Sequence, residues 1–161
     1  VDLAKGGAVE SLVEMLRSGD TMSKEYAAGA LMNMTAGSAA IAEKAVSVVP
    51  FLVELLRSDG VQVTEWASGA LANLIRVGVE QQAKAIEAGA APALAALLGK
   101  VTPNGKTLLI LALQALAEDQ GRAIAEALGG PQEKKHLRDY RDNGGEELEE
   151  YVNALVEKLG S

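Results

Sequence analysis

Apolar residues recur three and four places apart along this chain, in short clusters separated by polar residues, which is the spacing of helices that bury one face. The C-terminal stretch states the pattern most fully. Leu148, Tyr151, Val152, Leu155, Val156 and Leu159 fall at i, i+3, i+4, i+7, i+8 and i+11, opposite Glu146, Glu147, Glu150 and Glu157, and predict a helix over 146–159. No run alternates with the period of a strand, so every predicted element is helical. Gly19-Asp20, Asp59-Gly60 and Gly89 punctuate the junctions.

The clusters are themselves periodic. Residues 12–18 read Leu-Val-Glu-Met-Leu-Arg-Ser and residues 52–58 read Leu-Val-Glu-Leu-Leu-Arg-Ser, a shift of 40 places. At the same shift Glu25, Tyr26, Ala27, Gly29, Ala30, Leu31 and Asn33 meet Glu65, Trp66, Ala67, Gly69, Ala70, Leu71 and Asn73. A third copy follows at a shift of 42, its two extra residues lying in the Gly- and Pro-containing connector 99–105. Self-similarity at this period predicts a stacked array of units, each burying its apolar face against the next.

Each full unit reads as three helices, clearest at 80–88, 92–98 and 62–75. The units are a truncated first repeat over 1–36, a second over 37–77, a third over 78–118 and a degenerate capping repeat over 119–159, in one domain. Residues 1–5 read as the tail of the truncated first helix. In the cap, 120–128 reads as a separate first helix, followed by the junction Gly129-Gly130-Pro131. Ala27, Ala28, Gly29 and Ala30 let third helices approach closely, with Leu31, Met34, Leu71 and Leu74 as core residues. Met15, Met22, Met32 and Met34 replace Leu or Ala in the pattern and are assigned to core filling.

These residues resemble the armadillo repeat. The carriers are Gly7-Ala8-Val9, the Leu-Val-Glu-Leu-Leu core of the second helix, and the third-helix segments Tyr26 to Asn33 and Trp66 to Asn73. A HEAT-like array is the alternative reading of the same periodicity. The resemblance covers essentially the whole chain and implies an all-α, right-handed superhelical α-solenoid of armadillo repeats, whose third helices line a concave groove. It implies further that Asn33 and Asn73 form a ladder whose amides, each both donor and acceptor, bond the backbone of an extended peptide. Ala115 breaks the ladder in the third repeat. Nuclear-import members carry a Trp four residues before this Asn; here Gly29 and Gly69 stand there, so their manner of holding ligand lysines does not carry over.

Seven residues before each ladder position, and so on the same helical face, stand Tyr26, Trp66 and Leu108. They serve either as shelves for ligand side chains or as packing between third helices, and Gly29 and Gly69 either open the groove or permit close packing. Arg76 lies three places beyond Asn73, where the other repeats have Ala36 and Glu118, and Glu157 takes the Asn place in the cap. The candidate groove is therefore Tyr26, Gly29, Asn33, Trp66, Gly69, Asn73, Arg76 and Leu108. The segment 132–159 either caps the array or folds over the groove around Leu108 and Leu111.

Composition narrows the function. The 161 residues are 48% apolar and 23% charged, enough for an ordered domain without staples. The absence of cysteine removes disulfides, thiolate metal sites and cysteine nucleophiles, and suits a cytoplasmic or nuclear setting. A net charge of −7 opposes binding to a phosphate backbone, so nucleic acid is not an expected partner. No apolar run reaches the roughly 18 residues of a membrane span. The start Val1-Asp2-Leu3 has no initiator Met and no leader pattern, as expected of a piece of a longer product.

Chemistry is not expected. No phosphate loop, dinucleotide fingerprint or metalloprotease motif occurs, and neither a cofactor nor a metal is implied. Glu118-Asp119 and the pair Asp139 and Asp142 are expected at the surface, and the one histidine, His136, lies in a polar, irregular stretch, has no catalytic or metal-ligand partner and is expected on a solvated helix face. The expected function is a non-enzymatic protein-interaction module that binds an extended peptide, with the acidity weakly favouring basic segments by steering. The alternatives are a scaffold piece of a larger protein, such as a ubiquitin ligase or signalling protein, that docks a neighbouring domain, or an engineered repeat protein. Apolar Leu12 and Leu16 at the truncated end also predict weak end-to-end self-association.

Overall fold

Helices succeed one another through the whole of residues 7–160, which the computed structural model describes; the expected helix tail over 1–5 lies outside the described residues. In chain order they are α1 Ala8–Ser18, α2 Thr21–Ala36, α3 Ala39–Lys44, α4 Val49–Leu55, α5 Val61–Ile75, α6 Val79–Glu87, α7 Ala90–Ala96, α8 Pro103–Ala127, α9 Pro131–Asn143 and α10 Glu146–Lys158, with one 3-10 turn at Val46–Val48. The third helices α2, α5, α8 and α10 pack side by side in that order, and this row is the spine of the array.

Local chemistry sets the helix starts. The Asp20 carboxylate accepts the Ser23 N–H at 2.8 Å to cap α2, and that bond holds its pKa below the usual value. Ser38 accepts from Ile41 at 3.3 Å to open α3, and Thr102 from Gly105 at 3.2 Å to open α8, where Pro103 follows in the first turn. Between α6 and α7 the chain needs a left-handed residue, and Gly89 supplies it with φ +93°. Arg57 crosses that glycine closely, its Nη2 donating to the Ala88 carbonyl at 3.2 Å, so it covers a carbonyl that α6 leaves open.

The core runs between the rows of helices. Leu31, Leu52, Leu71, Leu74, Leu94, Leu109 and Leu113 are wholly buried, each contributing about 2 kcal/mol of transfer free energy. Equivalent leucines of successive repeats share this fate because each unit covers the one before it.

Several expectations need correction. The helix expected over 120–128 is not one of them: α8 leaves helical geometry at Gln120 (φ −119°, ψ 31°), the segment beyond this kink is a second helix, and the Asp119 N–H donates to the Gln82 side chain at 3.2 Å. Gly121, next to the kink, weakens a helix interior by about 1 kcal/mol. Met22 is not core but 63% exposed, and Leu16, expected at the open end, is buried. Val156 is exposed at the end of the apolar stripe of α10, while Leu148, Val152 and Leu155 are buried. His136 is on a helix face, that of α9, but is half-buried and lies against Gly99 rather than fully solvated.

The segment 132–159 extends the row, with α10 packed on α8 and α9 on α10. Tyr140 of α9 is buried and donates its O–H to the Leu98 carbonyl just after α7, with Lys106 Nζ 4.8 Å from its ring centre. Burial pushes the phenol pKa well above its usual value, with the Asp139 charge adding to the effect. On α10, Tyr151 presents its carbonyl to Gln114 Nε2 at 2.5 Å and Lys158 pairs with Glu118. Leu108 and Leu111 are half-buried, and Leu108 lies toward Gly69 of the preceding third helix α5.

Candidate functional site

The residues singled out in the third helices divide into those that hold the stack together and those that face outward. Trp66 belongs to the first set. Its indole lies over Gly29 of the preceding third helix, where a Cβ would stand 3.3 Å from indole Cδ2 and Cε3. Leu108 does the same one repeat later, its Cδ2 lying 3.3 Å from a Cβ placed on Gly69, and Met32 presses on Gly69 from the other side. Gly29 and Gly69 are thus sockets that admit a bulky neighbour, a use of glycine that rests on its missing side chain. Tyr26 occupies the same repeat position but has no described third helix before it, and it is 62% exposed.

The ladder positions also part company. Asn33 is exposed and makes no side-chain hydrogen bond among the described residues. Asn73 is half-buried, and its Nδ2 donates to the Met32 carbonyl at 3.0 Å and to Thr35 Oγ1 at 3.2 Å. Thr35 in turn donates to the Leu31 carbonyl at 2.5 Å. The donor half of Asn73 is therefore spent within the stack, and only its Oδ1 remains to accept from outside. In the third repeat the polar residue is Gln114, beside Ala115, and it too is spent on a neighbour, the Tyr151 carbonyl.

Beyond these residues, at the C-terminal ends of the third helices, two clefts open between successive repeats. One, of about 340 Å³, is lined by Thr35, Ser38, Ala42, Asn73, Arg76 and Val77. The next, of about 460 Å³, is lined by Arg76, Gln82, Gln114, Glu118, Asp119 and Lys158. Arg76 is the wall they share. It is exposed and makes no ion pair among the described residues, and its charge is felt at Tyr151, whose hydroxyl bonds Glu147 at 3.1 Å and is kept neutral by it. Glu157 is exposed, and Lys158 rather than Glu157 meets Glu118.

Reading the sequence missed Gln82, Gln114, Thr35 and Ser38, none of which repeats in register and so none of which carries a periodic signal. It also missed a contact that one repeat makes and the other does not. Glu65 Oε1 accepts the Thr102 N–H at 2.8 Å, at the start of α8, whereas its repeat equivalent Glu25 lies near Gly60 at the start of α5 but the Gly60 N–H donates to Ser58 Oγ at 3.2 Å.

Comparison with known proteins gives this arrangement its relatives. The family model for the ARM repeats of the LisH domain-containing protein ARMC9 matches residues 3–116. No curated protein matches at the level of sequence alone. Among solved structures, the designed armadillo repeat protein YIII(Dq)4CqI is similar over 98% of this chain and 67% of its own, with 26% identity and a TM-score of 0.82. The designed armadillo repeat protein YIII(Dq.V1)4CPAF, solved in complex with the peptide (KR)4, is similar over 98% of this chain and 66% of its own, with 24% identity and a TM-score of 0.80. A computationally designed armadillo repeat protein for modular peptide recognition matches over 93% of this chain and 63% of its own, with 24% identity and a TM-score of 0.78. The chain thus spans about two thirds of the length of these designed proteins, and the fold is what it shares with them. Among the described residues no helix is long and apolar enough to cross a membrane.

Proposed function

Since the chain belongs to the ARM-repeat family, an all-α solenoid family, we propose that it works as a non-enzymatic module that binds an extended peptide or partner segment along the outward edge of its third helices. The observation that carries this reading is the pair of equivalent clefts that share Arg76. Packed helices lie about 8–10 Å apart, and an extended chain advances about 3.3 Å per residue, so a strand crossing the row meets successive clefts about every three residues. Asn33, the Oδ1 of Asn73 and the exposed ring of Tyr26 line its path, the first two as partners for its backbone and the third as an anchor. Trp66, Gly29, Gly69 and Leu108 act one layer below, by fixing the spacing of the row.

Random-peptide display on the protein and on a Tyr26→Ala, Asn33→Ala double variant tests this reading, with circular dichroism to check that both are folded. Both side chains face outward, so the variant keeps its fold. Enriched peptides that bind the parent and fail on the variant support groove binding. Equal binding to both, or no enrichment, refutes it.

A second reading rests on a different observation, the exposure of Met22 and Tyr26 at the first edge of the row. This edge supports end-on docking, to a neighbouring domain or to a second copy. Light scattering across a concentration series that finds only monomer rejects the second copy.

A further inference from the structure

The net charge of the chain points to basic ligands, but the first cleft points the other way, and we propose that it selects an acidic side chain, Asp or Glu, of the bound extended segment. This rests on the peptide-binding reading above and adds the charge and register of the ligand. Among the described residues lining the cleft of about 340 Å³, Arg76 is the one that carries a charge. Its guanidinium makes no ion pair among the described residues, so it brings a positive charge that no carboxylate contacts to a wall otherwise made of Thr35, Ser38, Asn73 and small apolar side chains.

The remaining polar groups agree with that choice. Ser38 Oγ accepts the Ile41 N–H at 3.3 Å, which leaves its own O–H to donate to a ligand carboxylate. Thr35 is closed to a ligand, since it donates to the Leu31 carbonyl and accepts from Asn73. Asn73 Oδ1 offers the complementary function, an acceptor for a backbone N–H of the same segment. A guanidinium and a hydroxyl for the carboxylate, beside an acceptor for the main chain, are the donor set an acidic residue in an extended strand requires.

The neighbouring cleft shows why the preference belongs to one place. There Arg76 faces Glu118 and Asp119, and Lys158 is paired with Glu118, so its lining charges balance. Long-range acidity sets how fast a basic segment arrives, whereas contact specificity is set by the groups within hydrogen-bond reach, and salt weakens the first more than the second. The ligand therefore places its acidic residue between the first and second repeats.

The test is display of a random dodecapeptide library, in 0.15 M salt, on the parent, on Arg76→Gln and on Arg76→Glu, each checked by thermal melting. The expected result is a parent consensus with Asp or Glu at one fixed position, loss of that preference with Arg76→Gln, and its replacement by Lys or Arg with Arg76→Glu. A synthetic peptide of the parent consensus is expected to bind Arg76→Glu about tenfold or more weakly, as for reversal of a contacting charge. A parent consensus that is basic or uncharged at every position overturns the inference while leaving peptide binding standing. An acidic consensus unchanged in both variants also overturns it, since the acid then lies elsewhere. No enrichment on any of the three proteins removes the peptide-binding reading and this inference with it.

Discussion

Trp66 lies on Gly29 so closely that a single methyl group added to the glycine would stand 3.3 Å from the indole carbons. The next repeat copies the relationship with Leu108 and Gly69. A bulky residue at one position thus fits a gap left three residues further along the preceding third helix, and the spacing of the row is fixed by that fit. Tyr26 has the same position and no such socket among the described residues, which is why a residue of similar size is exposed in one repeat and half-buried in the next.

It follows that Trp66→Ala and Tyr26→Ala differ in kind. Removing the half-buried indole leaves a gap between α2 and α5 and is expected to cost about 2 kcal/mol, below the 3–5 of a wholly buried aromatic. Tyr26→Ala is expected to stay within about 0.5 kcal/mol of the parent, as surface substitutions do. Urea unfolding followed by circular dichroism measures both. Equal losses would show that the socket contributes nothing.

Asn73→Ala removes the amide that joins α5 to the Met32 carbonyl and Thr35, two partly buried acceptors at 3.0 and 3.2 Å. A loss of about 1–2 kcal/mol is expected, because those acceptors lose a donor without regaining full access to water. Asn33→Ala, at the equivalent but exposed position, is expected to leave stability unchanged within about 0.5 kcal/mol. The same denaturation series separates the two, and a harmless Asn73→Ala would mean that water replaces the amide freely.

The plan of the fold was legible because it is written twice. The match of 12–18 with 52–58 and of Tyr26–Asn33 with Trp66–Asn73 pointed to a helical solenoid and to its core leucines Leu31, Leu71 and Leu74, since a repeated apolar pattern has to bury the same face each time. The roles inside the groove were less legible for the same reason. Asn33 and Asn73 hold the same place in the repeat, yet only Asn73 has a described third helix before it to bond, so burial separates what periodicity equates. The start of the helix over 120–128 was legible too, and the structure marks it by the kink at Gln120 beside Gly121. The stripe of α10 was expected to be buried, and Leu148, Val152 and Leu155 are, while Val156 at its edge is exposed.

Gly105→Ala reverses a familiar sign. Replacing glycine inside a helix usually stabilises by up to about 1 kcal/mol, but a Cβ at Gly105 would lie 2.4 Å from Glu65 Oε1 and 2.6 Å from its Cγ. Glu65 would have to leave the Thr102 N–H that it holds at 2.8 Å. The loss of that bond, about 1–2 kcal/mol for a charged acceptor at a helix start, is expected to outweigh the gain. Glu65→Ala is then expected to destabilise the parent but not the Gly105→Ala variant further, a non-additivity that a double-mutant cycle reads directly. Additive effects would show that the two residues do not share one contact.

Tyr140 ties the cap to the array in a way that pH exposes. Its phenol is buried and bonded to the Leu98 carbonyl, so the folded state favours the neutral form and the pKa lies above the ordinary value of 10.0. A raised folded pKa means that its contribution is fully present below pH 10 and is lost as pH rises above it, because the unfolded chain then releases a proton that the folded one retains. Near pH 8 the parent is expected to be more stable than Tyr140→Phe by about 1 kcal/mol, the net worth of one buried hydrogen bond. Above pH 10 that advantage should shrink by about 1.4 kcal/mol per pH unit, so that the two proteins cross near pH 11. Lys106 and Asp139 remain in both, and their titration cancels to first order in the difference. Thermal melts of the pair from pH 8 to pH 11.5 measure the gap. A constant gap over that range would show that the phenol ionises as freely in the folded protein as in the unfolded chain, and that the cap is held by apolar packing of Leu137, Leu148 and Val152 alone.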